Sequence, residues 1–343
     1  MKNSVRLPVC VLLLVIASPA ALAQSPQYLP EGKLVSHDPR FDELVPPGSR
    51  LEVLAEGFHW TEGPVWRPDS NYVLFSDIPA NTIYKWKEAE GLRIFMRPAG
   101  HSGMASPGEE VGTNGLFFDG EGRLVAADHG DRQLFRLNEP KFTKEPLAAR
   151  YDGKRLNSPN DLVIARNGNI YFTDPPYGLE GLNESPAKEL AFNGVYLLRP
   201  DEDPVVLDSS LTFPNGILLS PDEQTLYVAV SDGRSPILYT YDVAADGTTG
   251  NRRVFFDASA IASQGKRGAP DGLTVDVDGN IYTTGPGGVL VLSPEGEHLG
   301  SIETGQATAN VTFGGADRSE LYITADSYLL RIPIRATGYV PFP

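Results

Sequence analysis

The stretch Asn167-Gly168-Asn169-Ile170-Tyr171-Phe172-Thr173-Asp174 is a turn followed by a strand rich in β-branched and aromatic residues. It has five counterparts in the chain: Val73-Leu74-Phe75-Ser76-Asp77, Leu124-Val125-Ala126-Ala127-Asp128, Leu226-Tyr227-Val228-Ala229-Val230, Ile281-Tyr282-Thr283-Thr284-Gly285 and Leu321-Tyr322-Ile323-Thr324-Ala325. Successive runs start 40 to 56 residues apart, and each is trailed by a second apolar strand, such as Thr82-Ile83-Tyr84-Lys85-Trp86 or Gly194-Val195-Tyr196-Leu197-Leu198. Self-similarity at such a period marks a repeat architecture, in which each unit buries its apolar face only against its neighbours. The spacing leaves room for four strands per unit, and no segment reads as a long amphipathic helix. The pattern predicts an all-β fold, a six-bladed β-propeller with four-stranded blades around a central channel.

Outward from that core, residues 1–23 read as a signal peptide. Lys2 and Arg6 make the start basic, Leu7 to Ile16 form a short apolar middle, and Ala21-Leu22-Ala23 offers a small-x-small cleavage site. The apolar stretch is short for a membrane span and is interrupted by Pro8 and Pro19. Export to the periplasm or the exterior is the expectation. Residues 24–49, rich in proline and charge, are expected to form an extended arm over a propeller that occupies residues 50–343. Arg50-Leu51-Glu52-Val53-Leu54 then supplies a strand to complete the last blade and close the ring, removing the open edge.

The lone cysteine, Cys10, falls in the signal, so the mature chain has no disulfide, cysteine nucleophile or thiolate ligand. The formal charge is 29 minus 44, or -15, and becomes 27 minus 44, or -17, once Lys2 and Arg6 are removed. So acidic a chain argues against nucleic acid or an anionic membrane as partner and is compatible with a cation site.

A second period runs inside the first. Ten or eleven positions before each strand run stands a polar motif: Glu62-Gly63-Pro64, Asn114-Gly115-Leu116, Asn160-Asp161-Leu162, Asn215-Gly216-Ile217, Asp271-Gly272-Leu273 and Asn310-Val311-Thr312. Any one Asn-Gly or Asp-Gly pair reads as a hairpin turn. Six at one offset, three of them preceded by proline, read as a site, because equal offsets in equivalent blades lie at equal places around the axis. All six lead residues carry a carboxylate or carboxamide. Oxygen donors converging with two negative charges, Glu62 and Asp271, suit one hard divalent cation; calcium is the expected ion, with magnesium, manganese or zinc as alternatives.

These motifs resemble the family of gluconolactonases, senescence marker protein and luciferin-regenerating enzyme, which are six-bladed propellers. The resemblance is carried by Glu62-Gly63-Pro64-Val65-Trp66, Ser158-Pro159-Asn160-Asp161, Phe213-Pro214-Asn215-Gly216, Pro270-Asp271-Gly272 and Gly285-Pro286-Gly287-Gly288-Val289. It implies metal coordination by Glu62, Asn160, Asn215 and Asp271, with Asp271 also the general base, and places Asn114 and His129 at the substrate. Tyr177, in a loop near the same channel mouth, is a further candidate for touching substrate.

The implied reaction is hydrolysis of a small sugar acid lactone, D-glucono-1,5-lactone being the first substrate to try. A metal-polarised carbonyl attacked by water, with a carboxylate taking the proton, needs no activated serine or cysteine. The chain accordingly has neither Gly-x-Ser-x-Gly nor His-Glu-x-x-His. Two alternatives share part of the pattern: an organophosphate or aryl-ester hydrolase of the calcium-propeller type, and a non-catalytic ligand-binding propeller. Among the histidines, His37 lies in the arm, His101 and His298 read as surface loop residues, and His59 as a packed strand residue or a partner of Glu62. Asp276-Val277-Asp278-Gly279-Asn280 lacks the full EF-hand pattern and reads as a hairpin.

Overall fold

A computed structural model of the chain describes residues 26–103 and 108–342; the signal segment 1–23 lies outside the described residues. Six antiparallel sheets, five of four strands and one of five, follow one another in chain order. Blade one runs from the axis outward through Thr61–Arg67, Tyr72–Asp77, Thr82–Lys87 and Gly91–Met96. In blades two to five the innermost strands are Thr113–Phe118, Leu162–Ile164, Pro214–Leu219 and Leu273–Val275. Blade six comprises Thr308–Gly314, Glu320–Ala325 and Tyr328–Pro333, and its outermost strand is Glu52–Glu56 from the other end of the propeller. Each strand run that set the period is thus the second strand of a blade, fully buried between the channel wall and the third strand.

The core lies between blades. Tyr171, Phe172, Tyr196, Tyr282 and Tyr322 are buried, and Phe172 stacks on Tyr196 with ring centres 4.9 Å apart. Removing five aromatic rings of this kind from water stabilises the ring by about 2–3 kcal/mol each. The Asp276 turn is a hairpin connection: its carboxylate accepts from the backbone N–H of Asp278 and Asn280.

The arm is more structured than an extended strap. Lys33–Ser36 pairs with His298–Glu303 as a fifth strand on blade five, and Pro39–Leu44 forms a short helix that buries Phe41 completely. Asp38 caps it by accepting from Arg40 N at 2.9 Å, and Pro39 sits in the first turn, where its missing N–H costs nothing. His298 therefore opens a strand rather than sitting in a loop, its ring half-buried against His37. At the other terminus Thr337 to Phe342 crosses the channel's far end, with Tyr339 N donating to Val275 O and Gly338 N to Arg318 O.

Candidate active site

All six innermost strands start at the same end of the channel, and the polar motifs stand at or just before those starts. Register shifts interrupt four of these strands, between Glu62 and Val65, Thr113 and Leu116, Pro214 and Ile217, and Thr308 and Asn310. Such bulges bend a strand and re-aim its side chains, which here turns the motif residues toward the axis. The glycine that follows four of the six lead residues serves close approach rather than a hairpin. A Cβ on Gly63, whose φ is +51°, would lie 2.1 Å from Asn114 O, and one on Gly216 would lie 2.1 Å from Asp271 O. Neighbouring blades therefore abut backbone to backbone, forming an annulus around the channel.

On the mouth side, three carboxamides form a directional chain. Asn114 Nδ2 donates to Asn160 Oδ1, Asn160 Nδ2 to Asn215 Oδ1, and Asn215 Nδ2 to Ser231 Oγ, which donates to Pro270 O immediately before Asp271. Glu62, only 2 % exposed, accepts from Gly63 N at 3.0 Å and from Asn310 Nδ2 at 3.2 Å. Asn114 Oδ1 and Asp271 Oδ1 are buried acceptors with no hydrogen bond from the described protein.

Burial raises the Glu62 and Asp271 carboxyls, and the charges of Asp161 and Glu110 add to both. Glu62 itself raises Asp271 further, so the two carboxylates repel across the site. Among the described residues no three His, Cys or carboxylate side chains come together as a metal site. A cation here would instead combine Glu62 and Asp271 with the carbonyl oxygens of Asn160 and Asn215. The donor set fits: it is all oxygen, carries two charges that repel without a counter-ion, and includes one unsatisfied acceptor, Asp271 Oδ1.

His129 is fully buried, with Nε2 3.2 Å from Asn160 Oδ1 and Nδ1 3.2 Å from Glu110 Oε2. The latter contact is close but too poorly aligned to count as a hydrogen bond. Tyr177 is half-buried and stacks on Phe213 at 5.7 Å, beside Asn215; burial and then the charge of Asp271 raise its hydroxyl. His59 turns to solvent, 72 % exposed, with its ring 3.5 Å from Asp77. It is neither a packed residue nor a partner of Glu62.

Two acidic residues of the site carry no signal of their own in the sequence. Asp161 takes the place held by glycine in four motifs, and its carboxylate accepts from Leu162 N at 2.9 Å; burial pushes it up to about 7. Glu110 is one of two successive glutamates in an irregular segment. Beyond the annulus the channel turns apolar, a cavity of about 600 Å³ lined by Trp66, Phe117, Leu218, Val275 and Phe313 and crossed by Tyr339 and Phe342.

Residues 60–327 match the model of the SMP-30/gluconolactonase/LRE-like region. The chain belongs to that family. Among relatives of this SMP-30/gluconolactonase chain, a gluconolactonase of Zymomonas mobilis is 38 % identical over 312 residues, spanning 90 % of this chain and 87 % of the relative. The solved structure of a gluconolactonase of Xanthomonas campestris is 31 % identical, with a TM-score of 0.78 over 92 % of this chain and 99 % of its own. Regucalcin of Agrobacterium tumefaciens, described as a calcium-binding protein, shares the propeller at 20 % identity and a TM-score of 0.68, over 84 % and 96 % of the two chains.

Proposed function

We propose that this SMP-30/gluconolactonase chain hydrolyses a sugar acid lactone, with Glu62, Asn160, Asn215 and Asp271 holding one divalent cation, calcium first. The observation that carries the reading is the meeting of those four residues at one polar mouth of the channel, in a chain similar to gluconolactonases over most of its length. A bound cation would supply a Lewis acid for the lactone carbonyl. The free Oδ1 of Asp271 is the acceptor for a proton from attacking water. Asn114 and His129 offer hydrogen-bonding edges for the hydroxyls of a polyol, and Tyr177 a ring at the mouth. A mouth lined by Asn114 and His129 suits a compact polar ring better than a long acyl chain.

The test is hydrolysis of D-glucono-1,5-lactone beside a phosphotriester, each with calcium and with chelator. Lactone opening that stops with chelator and falls at least 100-fold in Asp271→Ala is expected. Turnover of the phosphotriester alone would transfer the site to the other substrate class. The basic start, apolar run and Ala21-Leu22-Ala23 support export, and a mature chain starting at Gln24, read by mass spectrometry of the periplasmic fraction, is the expected product.

A further inference from the structure

The second strand ends in an aspartate in each of the first three blades, Asp77, Asp128 and Asp174; the positions that match them in the other blades are Val230, Gly285 and Ala325, and the longer second strand of blade four runs two residues further to Asp232, which accepts from Arg234 N. All three aspartates are buried, none more than 1 % exposed. A buried carboxylate is costly unless it is hydrogen-bonded; burial pushes Asp174 up to about 7 and raises Asp128 as well. What each of them holds is therefore informative.

Asp77 accepts from His59 N and Trp60 N at 3.2 to 3.3 Å, three and two residues before Glu62. Asp174 accepts from Asn157 N at 2.7 Å, and its own carbonyl takes Asn157 Nδ2 at 2.9 Å, three residues before Asn160. Asp128 accepts from Asp131 N at 3.0 Å and from Lys144 Nζ at 2.8 Å, closing the turn that carries His129. In blade four the corresponding link is Ser231, which joins Asn215 to Pro270 O. The segments that carry Glu62, Asn160 and His129 are thus each tied to a buried carboxylate at the end of a second strand.

We propose that Asp77 and Asp174 are positioning residues for the cation ligands Glu62 and Asn160, and that Asp128 is a positioning residue for His129 at the substrate. This rests on the reading of the site given above. It separates two functions by blade: two of the clamps act on the cation and the third on the lactone. A role in folding alone would not divide them in that way.

The experiment measures calcium binding to chelator-stripped protein by calorimetry, together with kcat and KM for glucono-1,5-lactone at saturating calcium, in the alanine and asparagine variants of each. Loss of a partner that orients a metal ligand typically weakens metal binding 10- to 100-fold. Asp77→Ala and Asp174→Ala should show that loss. Asp77→Asn and Asp174→Asn, which keep an acceptor of the same shape without its charge, should fall between them and the wild type. Asp128→Ala should bind calcium within about twofold of the wild type and raise KM severalfold. Folded Asp77 and Asp174 variants with wild-type calcium affinity, or three variants that lose calcium and substrate alike, would overturn the assignment. If the alanine chains do not fold, asparagine forms that bind calcium as the wild type does overturn it equally. A wild-type protein that takes up no calcium, magnesium, manganese or zinc would instead refute the underlying reading of the site.

Discussion

At the scale of single residues the annulus makes an unusual demand on glycine. Gly216 has no room for a side chain because the atom nearest to an added Cβ would be backbone of the next blade, Asp271 O at 2.1 Å. Backbone cannot swing aside as the end of a lysine can. Gly216→Ala should therefore displace Asp271, lower kcat/KM for gluconolactone at least tenfold, and destabilise the protein by about 1–3 kcal/mol in urea titration. An unchanged kcat/KM would mean that Asp271 tolerates displacement and is not the base. In the sequence this glycine is ambiguous, since Asn-Gly is also the common hairpin pair; only the shared offset of Glu62, Asn160, Asn215 and Asp271 marked them as one ring. Asp161 and Glu110 were not legible, because their placement depends on which blade edge they meet and on no local pattern.

At the scale of elements the arm shows where periodicity loses its reach. Lys33–Ser36 and Pro39–Leu44 have no counterpart in the repeat, and six helical residues are too few to display a 3.6-residue period. Their stability comes instead from one side chain: Phe41 packs on Gly300, where an added Cβ would sit 2.5 Å from its ring. Phe41→Ala should cost about 3–5 kcal/mol, read as a lower urea midpoint. The same strand pair carries a pH dependence. Burial of the His298 ring, followed by the charge of His37, pushes it down from 6.5 to about 4. Protonation thus favours the unfolded chain, so the stability contributed is complete above pH 6.5 and is lost as the pH falls through that value toward 4. Partial exposure reduces the effect to about 1–2 kcal/mol. His298→Gln should flatten the fall in urea midpoint between pH 7 and pH 4.5; a variant curve parallel to the wild type would assign the dependence to other groups.

At the scale of the whole molecule the fold was legible because a ring repeats itself, so that six weak strand signals reinforce one another, and the closing strand Glu52–Glu56 followed from the need to leave no open edge. The strap from Thr337 to Phe342 was not legible, since it repeats nothing. Circularity would also couple folding to the proposed cation. Glu62, Asn160, Asn215 and Asp271 come from four blades and meet only in the closed ring, so the unfolded chain presents no equivalent site. A ligand bound by the native state alone stabilises it by about 2.7 kcal/mol at one hundred times its dissociation constant. For a domain of this size that corresponds to a rise in Tm of roughly 4 °C. Scanning calorimetry should show that rise on adding calcium to chelator-treated protein, in a single transition because closure links all six blades. Asp271→Asn removes one of the two charges that repel across the empty ring, so it should raise the Tm measured in chelator while shrinking the gain from calcium. Coincident wild-type curves with and without calcium would disconnect the ring from the ion, whatever the lactone assay gave.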